Sequence, residues 1–183
     1  MAKNAKNQAQ DGQNYELKSK LIEINRTTKV VKGGRDFSIS ATVVVGDGKG
    51  RVGIGHAKAK EVPTAIQKAT KMAEKKMIFV TLKGSTIQHI IKSRHGATKV
   101  YMQPASEGTG VIAGGAMRHI FECLGVADVL GKCIGSSTPS NVAKATLKGL
   151  MTMKDPLQVA NKRGITVKQV LGIQDEPKEN KTA

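Results

Sequence analysis

Gly46-Asp47-Gly48-Lys49-Gly50-Arg51-Val52-Gly53, GDGKGRVG, follows the β-like run SISATVVV and contains a literal G-x-G-x-x-G at Gly48, Gly50 and Gly53. A dinucleotide-binding fingerprint of this form opens a helix whose N-terminus faces a pyrophosphate. Such a helix would make the chain a nucleotide-dependent enzyme. The residues downstream do not supply it. RVGIGHAKA resumes strand alternation through Val52 and Ile54, and the next helical pattern starts about ten residues later. The acidic residue that should close the motif is also missing, because Glu74, at about the right distance, lies within a lysine-rich helix. The glycines are therefore expected to form the turn of an antiparallel hairpin.

Upstream, LIEINRTTKVVK and RDFSISATVVV flank Gly33-Gly34. A two-residue Gly-Gly link supplies the positive φ angles of a tight hairpin. In the second of these strands Phe37, Ile39, Ala41, Val43 and Val45 alternate onto one face, with Asp36, Ser38, Ser40 and Thr42 on the other. The helix follows in EVPTAIQKATKMAEKKM, with Pro63 suited to its first turn. Ile66, Ala69, Ala73 and Met77 form its apolar stripe, while Lys68, Lys71 and Lys75 form the opposite one. Residues 15–80 thus read as one module of three antiparallel strands plus a helix.

Residues 81–173 read as a second, α/β module, so the whole is of the α+β class. TIQHIIKSRHG and ATKVYMQPA suggest a hairpin turning near Gly96. SEGTGVIAGGAMRHIFECLG is a glycine-rich loop entering a helix, with Met117, Ile120, Phe121 and Leu124 on its apolar side. ADVLGKCIGS reads as a strand and TPSNVAKATLKGLMTM as a helix with a Thr/Ser cap and Pro139 near its start. DPLQVANKRG and TVKQVLG are short helical pieces capped by Asp155 and Thr166. Residues 1–14 and 174–183 are polar and nearly free of bulky apolar groups, and are expected to be disordered tails.

The 183 residues carry 30 Lys+Arg against 14 Asp+Glu, a formal charge of +16. Such an excess favours a polyanionic partner, because counterion release drives association with nucleic acid. Residues 15–80 hold a net charge of +8 and residues 81–154 a net of +6, which makes the first module the main expected anion-binding surface. No apolar run approaches the roughly 20 residues of a membrane span. The N-terminal residues have no apolar segment of the signal-peptide kind. Cys123 and Cys133 fit no metal spacing, and a reducing cytosol is the simplest compartment for them.

Arg26, Lys29, Lys32 and Arg35 crowd around Gly33 and Gly34, where glycine lets a phosphate approach the backbone. Lys49, Arg51 and the Lys68/Lys71/Lys75 stripe add to this cationic set. The chain has three Phe, two Tyr and no Trp. Readers of single strands stack bases on exposed aromatics, so this composition points to recognition of folded RNA through phosphates and shape. The SEGTGVIAGG loop could hold an anion on backbone N–H groups, or serve as a connector or close-packing site. His119 and Cys123 stand at i and i+4 but lack a third residue to orient them, and Glu107, Glu122 and Asp128 are too scattered for a paired-carboxylate site. No catalytic residue, cofactor or metal is expected.

KVVKGGRDFSISATVVVGDGKGRVGIGHAKAKEVPTAIQKA, followed by QPASEGTGVIAGGAMRHIFECLGVADVLGKCIGSSTPSNVAKATLKGL, closely resembles the S-five family of bacterial small-subunit ribosomal proteins. The likeness covers about residues 16–172, and its motifs occur in one order with the expected spacing. Ile39 stands where family members often carry an aromatic. The resemblance implies an N-terminal domain like the double-stranded-RNA-binding fold without its first helix. It also implies a C-terminal domain of this family's own α/β type, with a left-handed crossover. It further implies binding to small-subunit ribosomal RNA, a place near the path by which messenger RNA enters, contact with the S-four and S-eight proteins, and an influence on decoding accuracy. By motif, Lys32, Gly33, Gly34 and Arg35 match the RNA-contacting hairpin tip, close to where spectinomycin binds the subunit. Lys49 and Arg51 match the second basic hairpin, and Gly114, Gly115 and Arg118 match the segment facing S-four.

Overall fold

The computed structural model describes residues 17–172; both expected tails lie outside the described residues. The first half contains β1 (Lys18–Val31), β2 (Gly34–Gly46), β3 (Arg51–Ala59), α1 (Val62–Lys75) and β4 (Ile78–Phe79). Its sheet has the order β1-β2-β3-β4 and every pair is antiparallel. Sequence reasoning missed β4, a two-residue edge strand that pairs with Arg51 and Val52. So short an apolar run has no periodicity to announce it.

The link between β1 and β2 differs from the expected Gly-Gly turn. Val31 pairs with Gly34, so the two linking residues are Lys32 and Gly33. Gly33 alone has positive φ, +93°. A type I′ link needs positive φ at both linking positions, so this turn is of another kind and needs only one glycine.

The alternation along β2 is real, but beyond the exposed Asp36 and half-buried Ser38 its polar face is not solvated. Val43 and Val45 pack with Ala57, Ala69 and Ala73 under α1, whose buried stripe is Ala65, Ala69 and Ala73. Val44, on the opposite face, is fully buried in a second core that runs into the C-terminal half. Ser40 and Thr42 are buried with it; Ser40 donates to the Asn25 carbonyl, and Thr42 Oγ1 lies 3.0 Å from His56 Nδ1. Ile39, on the α1 side, is half-buried.

The second half contains β5 (Ile91–His95), β6 (Thr98–Pro104), β7 (Val111–Ile112), α2 (Gly115–Leu124), β8 (Val129–Gly135), α3 (Pro139–Thr152), α4 (Pro156–Arg163) and α5 (Val167–Val170). Its sheet order is β5-β6-β8-β7, antiparallel except for β7 with β8. The unexpected β7 and the α2 crossover make this sheet mixed. α2 carries Met117, Ile120, Phe121, Cys123 and Leu124, all buried. Buried residues on more than one stripe mark a helix packed on several sides. It lies against β1 and β2 on one side and α3 and β7 on others. Asp155 and Thr166 cap α4 and α5 as expected, Thr166 in a reciprocal capping box with Gln169. Thr138 occupies the cap position of α3, but its side chain makes no cap bond there; its hydroxyl instead lies 3.1 Å from that of Ser136.

Candidate nucleic-acid interface

β3 pairs with β2 only as far as Ile39, whereas β1 and β2 stay paired out to Val31 and Gly34. Residues 34–38 therefore carry a two-stranded arm roughly 17 Å beyond the third strand, at about 3.3 Å per residue. The arm is exposed on both faces from Lys29 to Phe37. Arg26, Lys29, Lys32 and Arg35 stand on it with Gly33 and Gly34, and Asp36, opposite Lys29, is its one acid from Arg26 to Phe37. The Arg26 guanidinium lies 3.9 Å from the centre of the Phe37 ring. That contact holds Arg26 along the arm and contributes about 0.5–1 kcal/mol at an exposed site. Among the described residues Lys29, Lys32 and Arg35 have no ion-pair partner. Their charges stand in water, ready for an external anion.

Lys49 and Arg51 do not join this cluster. They lie at the other end of β2, and its 13 residues separate the two turns by roughly 40 Å. Between the ends runs α1, with Lys68, Lys71 and Lys75 exposed on its outer side. Gly53 lies beneath Ala73 and Gly55 beneath Ala69, so α1 runs antiparallel to β3 and its lysine stripe spans from one end of the sheet toward the other. The predicted cations thus form an extended track along the module, with its densest group on the arm.

The geometry of the GDGKG turn settles the glycine motif. Gly48 N–H donates to the Cys123 carbonyl at 3.0 Å, and Gly50 N–H donates to the Leu124 carbonyl at 3.1 Å. These are carbonyls of the last turn of α2, which have no partner within their own helix. Asp47 Oδ1 accepts from the backbone N–H groups of Lys49 and Arg51 at 2.7 and 2.9 Å. The amides that would cradle a phosphate are bound to the chain itself. A Cβ on Gly46 would stand 2.2 Å from the Cys123 oxygen, so this glycine is required by close packing.

The glycine-rich loop before α2 has an internal anion. Asp128 is 4% exposed. Its Oδ1 accepts from Gly110 N–H at 3.0 Å and its Oδ2 from the Ser85 hydroxyl at 2.9 Å. The Gly110 bond first, then the Ser85 bond, hold its carboxyl below the usual carboxylate range, with further help from the Gly108 and Thr109 amides. Sequence reasoning set Asp128 aside as a scattered acid. Its available signal was an acid inside the apolar GVADVLG, a place where a charge needs bonded partners.

Gly114, the N-cap of α2, and Gly115, its first residue, are exposed, and a Cβ on either would meet nothing within 4 Å. Neither has positive φ. The fold does not demand glycine there. Arg118 is exposed on the same helix start and donates through Nη2 to the Val111 carbonyl at 3.3 Å. At the other end, Glu122 pairs with Lys20 of β1. That hydrogen bond, chiefly, lowers the Glu122 carboxyl below its ordinary range.

His119 and Cys123 do not form a catalytic pair. Cys123 is 1% exposed, and burial pushes its thiol up to about 11, away from the thiolate a nucleophile needs. Both cysteines are free thiols. Among the described residues no cluster of three His, Cys, Asp or Glu could hold a metal, and no helix is long and apolar enough to cross a membrane.

Two family profiles match. The one described as Ribosomal protein S5, N-terminal domain, covers residues 17–81, and that described as Ribosomal protein S5, C-terminal domain, covers residues 93–163. Among similar curated proteins, one from Alteromonas mediterranea is 59% identical over 163 residues, covering 89% of this chain and 98% of the relative. One from Nitrosococcus oceani is 60% identical over 156 residues, covering 85% and 92%. One from Pseudomonas fluorescens is 60% identical over 151 residues, covering 82% and 91%. Each of the three bears the name Small ribosomal subunit protein uS5. With both of its domains matched in order and relatives of this identity aligned over most of its length, the chain belongs to the ribosomal protein S5 family.

Proposed function

We propose that the chain is a non-catalytic constituent of the small ribosomal subunit that grips folded ribosomal RNA with its β1–β2 arm. The family is one of structural ribosomal proteins, not of enzymes. One observation carries the finer reading: an exposed two-stranded arm that places Arg26, Lys29, Lys32 and Arg35 in water, all four without ion-pair partners among the described residues. Such an arm reaches into an RNA groove or junction, where its cations replace condensed counterions and Gly33 and Gly34 allow close approach of the backbone. Lys49, Arg51, Lys68, Lys71 and Lys75 extend the contact along the module. In this reading residues 15–80 form the RNA-binding domain and residues 81–173 the domain that docks on neighbours.

Gly114, Gly115 and Arg118 would meet the S-four protein. What supports this is an open surface at the start of α2, where Gly114 and Gly115 present bare backbone on which a neighbour can pack closely. The same proposal includes contact with S-eight, a place beside the path of incoming messenger RNA, an influence on decoding accuracy and a cytoplasmic location.

The test is the salt dependence of binding to small-subunit ribosomal RNA. Each phosphate contact adds roughly 0.7–0.9 to the magnitude of the log–log slope. Lys32→Ala with Arg35→Ala is expected to lower affinity and reduce the slope by about 1–2. An unchanged slope would remove the arm from the interface.

A further inference from the structure

The second sheet has one covered face and one open face. On β6, Thr98, Val100 and Met102 are buried, while the alternating Lys99 is exposed and Tyr101 and Gln103 are half-exposed. On β8, Val129 and Gly131 are buried, while Leu130, Lys132 and Ile134 are exposed. On β5, Lys92 and Arg94 are exposed. α3 packs against β5 and β6, and α2 against β7, on the buried side.

The open face has an ordered composition. Register places Lys92 opposite Tyr101, and Tyr101 opposite Lys132. One row across three strands therefore reads cation, aromatic, cation, within about 10 Å at the usual strand spacing. The Lys92 ammonium lies 5.9 Å from the centre of the Tyr101 ring. The Tyr101 hydroxyl donates to Gln103 Oε1 at 2.8 Å, which ties the phenol to its own strand. The next row pairs Ile134 with Lys99 and Lys99 with Arg94. A cleft of about 280 Å³ opens here, with Tyr101 and Ile134 among its lining residues together with Lys92, Arg94 and Lys99. The four strands β5 to β8 contain no Asp or Glu.

We propose that this open face of the second sheet is a site for single-stranded RNA, with Tyr101 as a platform for a base and Lys92, Lys99 and Lys132 holding the flanking phosphates. The combination of a half-exposed aromatic, apolar neighbours and several cations with no acid suits an unpaired strand. Base faces are apolar and the backbone is anionic. The duplex-gripping arm offers a different arrangement, cations on a protruding hairpin with one aromatic already stacked on Arg26. The two surfaces lie in different halves of the chain, and this proposal stands without the arm reading.

The experiment uses the full chain and two labelled probes, a twelve-nucleotide uridine strand and an RNA hairpin duplex, followed by fluorescence anisotropy over a salt series. Tyr101→Ala is expected to weaken uridine binding about 5- to 150-fold, the range for loss of one stacked base. Tyr101→Phe keeps the ring and is expected to stay near the parent. Lys92→Gln with Lys132→Gln is expected to flatten the single-strand salt slope by about 1.4, at about 0.7 per phosphate. Duplex binding is expected to change little in all three, whereas Lys32→Ala with Arg35→Ala should do the reverse. Parent-like uridine binding in both Tyr101→Ala and the lysine pair overturns the proposal. So does loss of uridine binding only in the arm variant. Poor incorporation of Tyr101→Ala into the small subunit with intact uridine binding would likewise overturn it, assigning the face to a protein neighbour.

Discussion

Gly55 is the residue on which the seating of α1 depends. A Cβ built at this position would lie 1.9 Å from the Ala69 carbonyl oxygen and 2.7 Å from the Ala73 nitrogen. Real Cβ contacts are essentially never shorter than 3.0 Å. In Gly55→Ala the helix must therefore retreat by about 1 Å, because both obstructing atoms are backbone and no rotamer moves them aside. Ala69 and Ala73, packed on Val43, Val45 and Ala57, retreat with it. A radial gap of 0.5–1 Å forfeits about a quarter to a half of each dispersion contact. Overpacking of this kind costs about 1–3 kcal/mol, and an obstruction by backbone belongs at the upper end. For a chain of this size about 3 kcal/mol lowers the unfolding midpoint by roughly 6–12 °C. Gly34→Ala is the control: it has no atom within 4 Å and no positive φ, so it should stay within about 0.5 kcal/mol of the parent. Urea and thermal unfolding followed by circular dichroism measure both. Equal stability of the two variants would refute the close seating of α1 on β3.

Three further outcomes are expected. Asp128→Asn replaces one of the two acceptors that serve Gly110 and Ser85 with a donor, so exchange of the Gly110 amide should quicken about tenfold relative to amides in α3. In the parent the Asp128 carboxyl is depressed below its ordinary 3.8, so its stabilisation is complete above that value. It disappears as pH falls through the lowered folded value. Protection of Gly110 should therefore be flat from neutral pH to about 4 and fall only below it, and a loss between pH 7 and 5 would contradict the assignment. Cys123, buried and with its thiol raised to about 11, should resist a thiol-specific disulfide reagent at pH 8 until the chain unfolds. The half-buried Cys133 should react first, and stoichiometric labelling of native Cys123 would place it outside the core.

Periodicity carried much of the fold. The alternation of β2 and the apolar side of α2 are both present, and all four named α2 residues, Met117, Ile120, Phe121 and Leu124, are fully buried. Burial of the second face of β2 was not legible, because Ser40 and Thr42 look like solvent-facing residues until α2 covers that face and hydrogen bonds satisfy them. β4 and β7, of two residues each, are too short to show a period. The turn reading of GDGKG is present in the structure, but its amides bond carbonyls more than seventy residues away, and no local pattern announces that. At the candidate interface, residue type and spacing located the arm cations. They also placed Lys49 and Arg51 in a second hairpin at the other end of the strand, but not the roughly 40 Å between the two turns, since strand length becomes distance only once pairing is known.

β2 runs as one strand from Gly34 at the arm to Gly46, where it abuts the backbone of Cys123. It behaves as a strut. The turn just beyond its far end is clamped by two hydrogen bonds to the closing turn of α2, and neighbouring β1 adds the Lys20–Glu122 ion pair; the opening turn of the same helix presents Gly114, Gly115 and Arg118. The backbone of β2 is continuous from tip to foot, and the ladder to β1 carries a register shift between Leu21 and Glu23 on the way. One uninterrupted strand thus joins the arm tip to the contacts that seat α2, and the tip and the helix start share a single covalent and hydrogen-bonded route.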